Sequence, residues 1–219
     1  MNVCLIASTS FEINASGEKI ADLSRRGKFR ISTLVSGVGI MAATHCITRE
    51  IERNRPDFLV QAGVAGSFSD QYPPGTLVAV SHDLVADTCV KESIGYRHLT
   101  DMGLQPDAFP YRNGWLENKG PFPDNIPIVK GITVNEISTD SEKTAWFREK
   151  YGAVTESMEG AALHFAALSA GIPFIQLRTI SNMVGERDKE NWQLKEAITL
   201  LNHQLPNLLE NILQQWNSR

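Results

Sequence analysis

The sequence predicts an α/β fold, a single-domain three-layer α/β/α sandwich around a central mixed, mostly parallel sheet. Short apolar runs alternate with helical ones, the strand-like runs are apolar enough to be covered on both faces, and no linker or repeat divides the chain. At 219 residues and 42% hydrophobic, the chain can bury one sizeable core, and residues 1–219 read as one domain. Taken in order, Val3 to Ala7 and Ile31 to Val35 are strands, Ile40 to Arg53 a helix and Phe58 to Ala62 a strand, a βαβ rhythm. Thr76 to Ser81 and Ile128 to Val134 are further strands. Met158 to Ala170 is a helix, Phe174 to Ile180 a buried strand, and Asn191 to Asn217 a long C-terminal helix. Between Ser93 and Asp124, Gly95, Gly103, Pro106, Pro110, Gly114, Gly120, Pro121 and Pro123 are too many breakers for regular structure, so a long functional loop is expected there.

Composition narrows the function. A formal net charge of -4 leaves no basic stripe for nucleic acid or an acidic membrane, so a small soluble partner is expected. The opening "MNVCLIASTSFE" has an apolar stretch far too short to span a bilayer and lacks a basic leader, which predicts a cytoplasmic protein. Cys4, Cys46 and Cys89 have neither disulfide-like nor zinc-like spacing, and the five histidines show no ligand pattern. No metal or organic cofactor is expected. His164, within "AALHFAAL", reads as a satisfied helix residue.

In an open α/β sheet, ligands bind outside the carboxyl ends of the strands, so the polar residues that follow each strand are the informative ones. They are "STSFE" with Glu12, "SGVG", "QAGVAGS", "NEIS", "ESMEG" and "RTISN". Gly37, Gly39 and Ala42 fit the spacing of a dinucleotide fingerprint, but its acid should end a strand, whereas Asp57 precedes one. A tight turn feeding a helix whose free N–H groups face a ligand is the better reading. Gly63 and Gly66 stand where a backbone must approach something closely.

Taken together, these motifs resemble the nucleoside phosphorylase and nucleosidase superfamily, which includes the methylthioadenosine/S-adenosylhomocysteine nucleosidases. The resemblance covers nearly the whole chain and rests on Glu12, "SGVG", "AGVAGS", "PGTLVAVS", "SMEGAA" and "RTISN". Within it, "ESMEGAA", "NGW", "GITVNE" and "RTISNMVGERDKENW" look most like the futalosine hydrolases, which release hypoxanthine from futalosine on one bacterial route to menaquinone. The resemblance implies a homo-oligomeric N-glycosyl hydrolase. A methylthioadenosine/S-adenosylhomocysteine nucleosidase, a purine nucleoside phosphorylase and a non-catalytic nucleoside-binding protein are the alternatives.

Cleaving an N-glycosidic bond develops oxocarbenium character on the sugar and needs an activated nucleophile and a stabilised leaving base. Glu12 suits water activation, and its charge would repel the phosphate of a phosphorylase; as an isolated acid it would be a solvated helix-start residue. Arg178 either pairs with Glu12 or helps hold the water, or forms a purely structural ion pair. The resemblance implies that Glu159 accepts hydrogen bonds from the ribose hydroxyls, against the plainer reading of a first-turn acid, and that Met158 lies against the sugar. Gly66, Ser67 and Ile137 complete the implied substrate-binding set; Glu156 receives no role. Where adenine-specific relatives carry Asp, this chain has Asn182. A carboxamide offers one donor and one acceptor, which complements O6 and N7–H of a 6-oxopurine. Glu12, Asn182 and Arg178 are thus the expected catalytic group. The 93–124 loop is expected to cover the 5′ side of the nucleoside with Phe109, Tyr111 and Trp115. One of Lys91, Arg97, Arg112 or Lys119 would meet a substrate carboxylate.

Overall fold

The computed structural model describes residues 1–26, 29–105 and 107–217; Pro106, counted above among the breakers, lies outside them. Strand β1 (Asn2–Ala7) runs between β2 (Arg30–Val35) and β3 (Phe58–Ser67), all three parallel. Helices α1 (Gly17–Arg25) and α2 (Ile40–Asn54) make the crossovers. Beyond β3 the chain adds β4 (Leu77–Asp83), β5 (Cys89–Lys91), β6 (Tyr96–His98), β7 (Tyr111–Arg112), β8 (Trp115–Glu117) and β9 (Ile128–Thr133). Then follow α3 (Ser141–Tyr151), β10 (Thr155–Ser157), α4 (Gly160–Ala170), β11 (Phe174–Met183) and α5 (Leu194–Asn217). The mixed, mostly parallel sheet curls on itself at one end: β3 pairs with β11, β11 with β4, β4 with β9, β9 with β10, and β10 again with β3.

Alternation of side chains along the strands builds a core on each face. Leu5, Phe58, Val60, Ile175 and Leu177 pack under α1 and α5, where Leu201, Leu205 and Leu209 are fully buried. Cys4, Ile6, Leu59 and Phe174 pack under α2 and α4, against Ile47, Leu163 and Ala166. No helix among the described residues is long and apolar enough to cross a membrane.

The expected strands all form, several of them longer than predicted: β3 extends to Ser67 and β11 to Met183, carrying polar residues into the sheet. The late helix begins at Gly160 because Thr155–Ser157 is a short strand paired to both β3 and β9. The 93–124 segment corrects the expectation of an irregular loop. Strands β5 and β6 form a hairpin, and β7 and β8 another that joins the main sheet beside β4. Gly95 lies in the connection between β5 and β6, and Gly103, Pro110 and Gly114 lie in turns. Asn113 and Gly114 both have positive φ, 49° and 78°, as a two-residue primed hairpin turn requires.

A polar cluster is sealed inside this frame. Asp83 is fully buried, with Oδ1 accepting from the Thr133 hydroxyl at 2.8 Å, and burial pushes its carboxyl up to about 6. Burial likewise pushes His164 down to about 4, while its Nδ1 meets the Leu116 carbonyl at 3.0 Å. The two act in opposite senses. Asp83, raised from 3.8, favours folding fully below that value and loses this contribution as pH rises through about 6. His164, lowered from 6.5, contributes above that value and loses it as pH falls through about 4.

Replacing Asp83 removes one slope and leaves the other. Measured by urea unfolding, Asp83→Asn should gain stability relative to wild type by about 3 kcal/mol between pH 4 and pH 7, since it escapes the cost of ionising a buried carboxyl. A stability difference that does not change with pH would show that Asp83 is ionised throughout that range.

Candidate active site

The carboxyl ends of β1, β3, β10 and β11 open into a cleft of about 860 Å³, closed on one side by the start of α5. That volume suits a nucleoside-sized ligand. Immediately after β1 the chain tightens into a 3₁₀ turn at Ser10–Glu12, which turns the Glu12 side chain back under the loop. Its Oε2 accepts from the Thr9 N–H at 2.9 Å and the Thr9 hydroxyl at 3.2 Å, and its Oε1 from the Val64 N–H at 3.3 Å. Buried Asn202 on α5 holds the turn from behind. Its Nδ2 donates to the Glu12 carbonyl and its Oδ1 accepts from the Ser16 N–H, both at 2.9 Å. Glu12 is therefore a fixed carboxylate on the cleft wall, and its position is not that of a solvated helix-start acid.

Arg178 departs from the expectation. It is 1% exposed and does not line the cleft; its Nη2 donates to Gln61 Oε1 at 2.8 Å, and no ion pair joins it to Glu12 among the described residues. Both side chains nevertheless converge on Gly63. A Cβ there would lie 2.5 Å from Arg178 Nη1 and 2.7 Å from Glu12 Oε1. Arg178 thus lies behind Glu12, and the missing side chain at Gly63 lets the Glu12 carboxylate approach its buried charge.

Glu159 caps α4 in a non-helical conformation, and its Oε1 accepts from the Gly39 N–H at 2.8 Å. Gly39 has φ 94°, a conformation that L side chains rarely adopt, so the "SGVG" turn aims an amide at a protein carboxylate, where the sequence suggested a ligand. The second oxygen of Glu159 remains for the cleft, which the residue lines beside Met158 and Ile137. Gly66 lines it as well. Ser67 does not: its hydroxyl donates to the Ser69 carbonyl at 3.0 Å and accepts from the Ser69 N–H at 3.1 Å, stabilising the turn after β3.

A bulge in β11 between Ile180 and Asn182 sets the last polar side chain. Asn182 Nδ2 donates to the Met183 carbonyl at 3.0 Å, which fixes the amide orientation, and Oδ1 lies 2.8 Å from the Ser181 hydroxyl. One N–H and one lone pair remain unused on the carboxamide. Glu156 lines the floor. Its Oε1 accepts from the Ser138 N–H at 3.0 Å, and burial raises its pKa against the opposing pull of the Ser138 hydroxyl and amide.

The 93–124 segment is a second correction, since none of its described residues lines the cleft. Lys91, Arg97 and Arg112 pair with Glu142, Glu92 and Glu117, and Lys119 lies away from the cleft with them. The cationic side chain the cleft does offer to an acidic substituent is Lys195, beside Trp192 and Leu194. Sequence reasoning missed these because they belong to the approach and first turn of an amphipathic helix, where the periodic pattern signals core packing only. Phe11, 77% exposed on the opposite lip, was hidden by its neighbour Glu12.

The model of the phosphorylase superfamily matches residues 20–214 of this chain. A futalosine hydrolase from Streptomyces coelicolor is 31% identical, over 73% of this chain and 68% of its own. One from Thermus thermophilus is 29% identical over 88% of each. Among solved structures, a Helicobacter pylori 5′-methylthioadenosine/S-adenosylhomocysteine nucleosidase holding a butyl-thio-DADMe-Immucillin-A superposes with a TM-score of 0.80. It is 16% identical and covers 96% of this chain and 98% of its own, a likeness of fold.

The close approach at Gly63 yields a direct test. In Gly63→Ala the new methyl meets a guanidinium nitrogen and a carboxylate oxygen, both on buried, hydrogen-bonded side chains that would have to shift, so unfolding free energy should fall by about 1–3 kcal/mol. For a chain of this length that lowers Tm by roughly 2–12 °C; a Tm equal to wild type would show that the Arg178 and Glu12 side chains have room to separate.

Proposed function

The chain belongs to the phosphorylase superfamily, and from that membership we propose that it is a futalosine hydrolase, cleaving the N-glycosidic bond with water to release hypoxanthine. The observation that carries the substrate reading is Asn182. With one N–H and one lone pair unspent, its carboxamide donates to O6 and accepts from N7–H of a leaving 6-oxopurine. Because N7–H appears fully only as the bond breaks, the second contact favours the transition state over bound substrate.

Each remaining group has a task consistent with its place. Glu12, held by three donors from Thr9 and Val64, orients and deprotonates the attacking water. Glu159, with one oxygen anchored on Gly39, presents the other to the ribose diol. Met158 packs against the sugar, and Gly66 and Ile137 against the base. The aryl carboxylate at the 5′ end of futalosine meets Lys195 and Trp192. The relatives' names support this reading, as does Glu12 itself, which would repel phosphate in a phosphorylase. The nucleosidase-like fold keeps methylthioadenosine as the second reading, disfavoured because Asn182 gives a 6-aminopurine one acceptor where it needs two. A cytoplasmic enzyme is the accompanying expectation.

Chromatography of bases released from futalosine, inosine and methylthioadenosine tests it. Hypoxanthine should appear from futalosine in phosphate-free buffer, with little adenine from methylthioadenosine, and Glu12→Gln should lower turnover by roughly 10²-fold or more while retaining substrate binding. Strict phosphate dependence, or wild-type turnover in the variant, would sink the hydrolytic mechanism.

Asn182→Asp tests the base edge. The amide donor to O6 becomes an acceptor facing an acceptor, worth ~1–3 kcal/mol, so kcat/KM for futalosine should drop by about one to two orders of magnitude. A 6-aminopurine analogue, which offers two donors, should lose less or improve. Side-by-side kinetics of the two substrates decide the matter; an unchanged amino-to-oxo ratio places specificity elsewhere.

A further inference from the structure

Asn202 on α5 uses its whole carboxamide. Its Nδ2 donates to the Glu12 carbonyl at 2.9 Å and to the Ile198 carbonyl, one turn earlier, at 2.8 Å, and its Oδ1 accepts from the Ser16 N–H at 2.9 Å. Two carbonyls on one side and an N–H on the other fix which atom is nitrogen and which oxygen. The residue is 5% exposed. Glu12 is thereby held at both ends, its carboxylate by Thr9 and Val64 and its backbone by α5.

The same face of α5 reaches the cleft. Lys195, Ile198 and Thr199 line it, and Asn202 follows at the i, i+3, i+4, i+7 spacing that stacks side chains on one side of a helix. Only about 10 Å of helix separates Lys195 from Asn202. Ahead of the helix, the Gln193 N–H donates to the Ser181 carbonyl at 2.8 Å, beside Asn182. Pro206 offers no N–H to the Asn202 carbonyl, so the helical ladder is interrupted where these first turns join the rest of α5. The turns that carry Lys195 are therefore registered against β11 at one end and against the Glu12 turn at the other. We propose that Asn202 is a positioning residue for Glu12, through which a substituent seated on the 5′ side against Lys195 and Trp192 settles the Glu12 turn and speeds the chemical step. This rests on the reading of Glu12 as the water-activating base and of Lys195 as the partner of the 5′ aryl carboxylate, and deepens it. A carboxylate that must aim a water is sensitive to shifts of about 1 Å, and the backbone carbonyl of that same residue is what Asn202 holds. Contacts remote from the reacting bond are thereby realised in the transition state, and appear in kcat rather than in KM alone.

Two substrates test this on the intact enzyme: futalosine, and inosine, a 6-oxopurine riboside with a bare 5′-hydroxyl. Wild type should turn over futalosine with kcat about tenfold or more above that for inosine. Asn202→Thr is the informative variant, because a threonine hydroxyl bonds the carbonyl four residues back and so keeps the link to Ile198 while both links to the Glu12 turn are lost. Asn202→Ser makes the same cut without the branched carbon. In either variant kcat for futalosine should fall about tenfold or more with KM within about threefold of wild type, and the futalosine-to-inosine ratio of kcat should shrink toward one. A wild-type ratio near one, an equal fall for both substrates, or an undiminished ratio in the variants overturns the coupling. Hydrogen exchange at the Ile13 and Ser16 amides, read with each nucleoside bound, needs no turnover: in wild type futalosine should slow it about tenfold more than inosine does. Equal slowing overturns the role of Asn202. Failure of wild type to release base from futalosine instead removes the futalosine reading, and the exchange comparison still reports on Asn202.

Discussion

A guanidinium enclosed in a protein interior is costly unless acceptors meet it, and Arg178, whose Nε has none among the described residues, makes that demand of the centre of this molecule. It sits on β11, the strand that bridges β3 and β4, and is almost completely buried. Gln61 accepts from it directly, Glu12 approaches across the space that Gly63 leaves open, and Asp83 feels its charge from the sealed side. Once this cation is fixed, the polarity of the neighbouring strands follows. Gln61 also reaches the Glu159 carbonyl at 3.4 Å, so one interior residue connects the group behind Glu12 to the cap of α4.

The cleft places several carboxylates close together without a metal-like cluster among the described residues. Each is held in a different way. Glu12 accepts only from nearby backbone and a hydroxyl, Glu159 from a glycine amide across the sheet, and Glu156 from the Ser138 amide. Like charges in a partly dry site disfavour one another, and spending amide donors on each lowers that cost while fixing its direction. On the proposed reading, this holding preorganises Glu12 and Glu159 for a developing sugar cation, which is where electrostatic stabilisation is most effective.

Much of this was legible in the sequence because ligand-facing residues follow parallel strands. Glu12, Glu159 and Asn182 were found by that rule, and the structure brings all three to one cleft. The rule fails for residues whose role depends on the partner strand. Arg178 and Ser67 follow the same pattern yet face inward or into a turn, because direction depends on register and on a bulge that no local signal announces. Asn202 and Lys195 come from a helix more than 180 residues beyond Glu12, and only tertiary packing brings them to the site. The 93–124 segment misled for a different reason: its Gly and Pro residues were counted as breakers, whereas Gly114, together with Asn113, makes a hairpin turn.

The bulge at Ser181 links the fold to the proposed selectivity. An unbroken β11 would put residue 181 opposite Gly66; the extra residue brings Asn182 there instead and leaves the Ser181 hydroxyl 2.8 Å from the Asn182 carboxamide oxygen. An Asp at this place could hand a proton to N7 of the leaving base, but a carboxamide cannot, so the chemistry must stabilise a departing base that takes its proton from water or leaves as an anion. A fixed amide donor at O6 serves that need, because negative charge in a 6-oxopurine anion spreads onto O6, whereas adenine has no oxygen to receive it. On the proposed reading, the residue that selects the 6-oxopurine is thus also suited to the leaving group that such a base becomes.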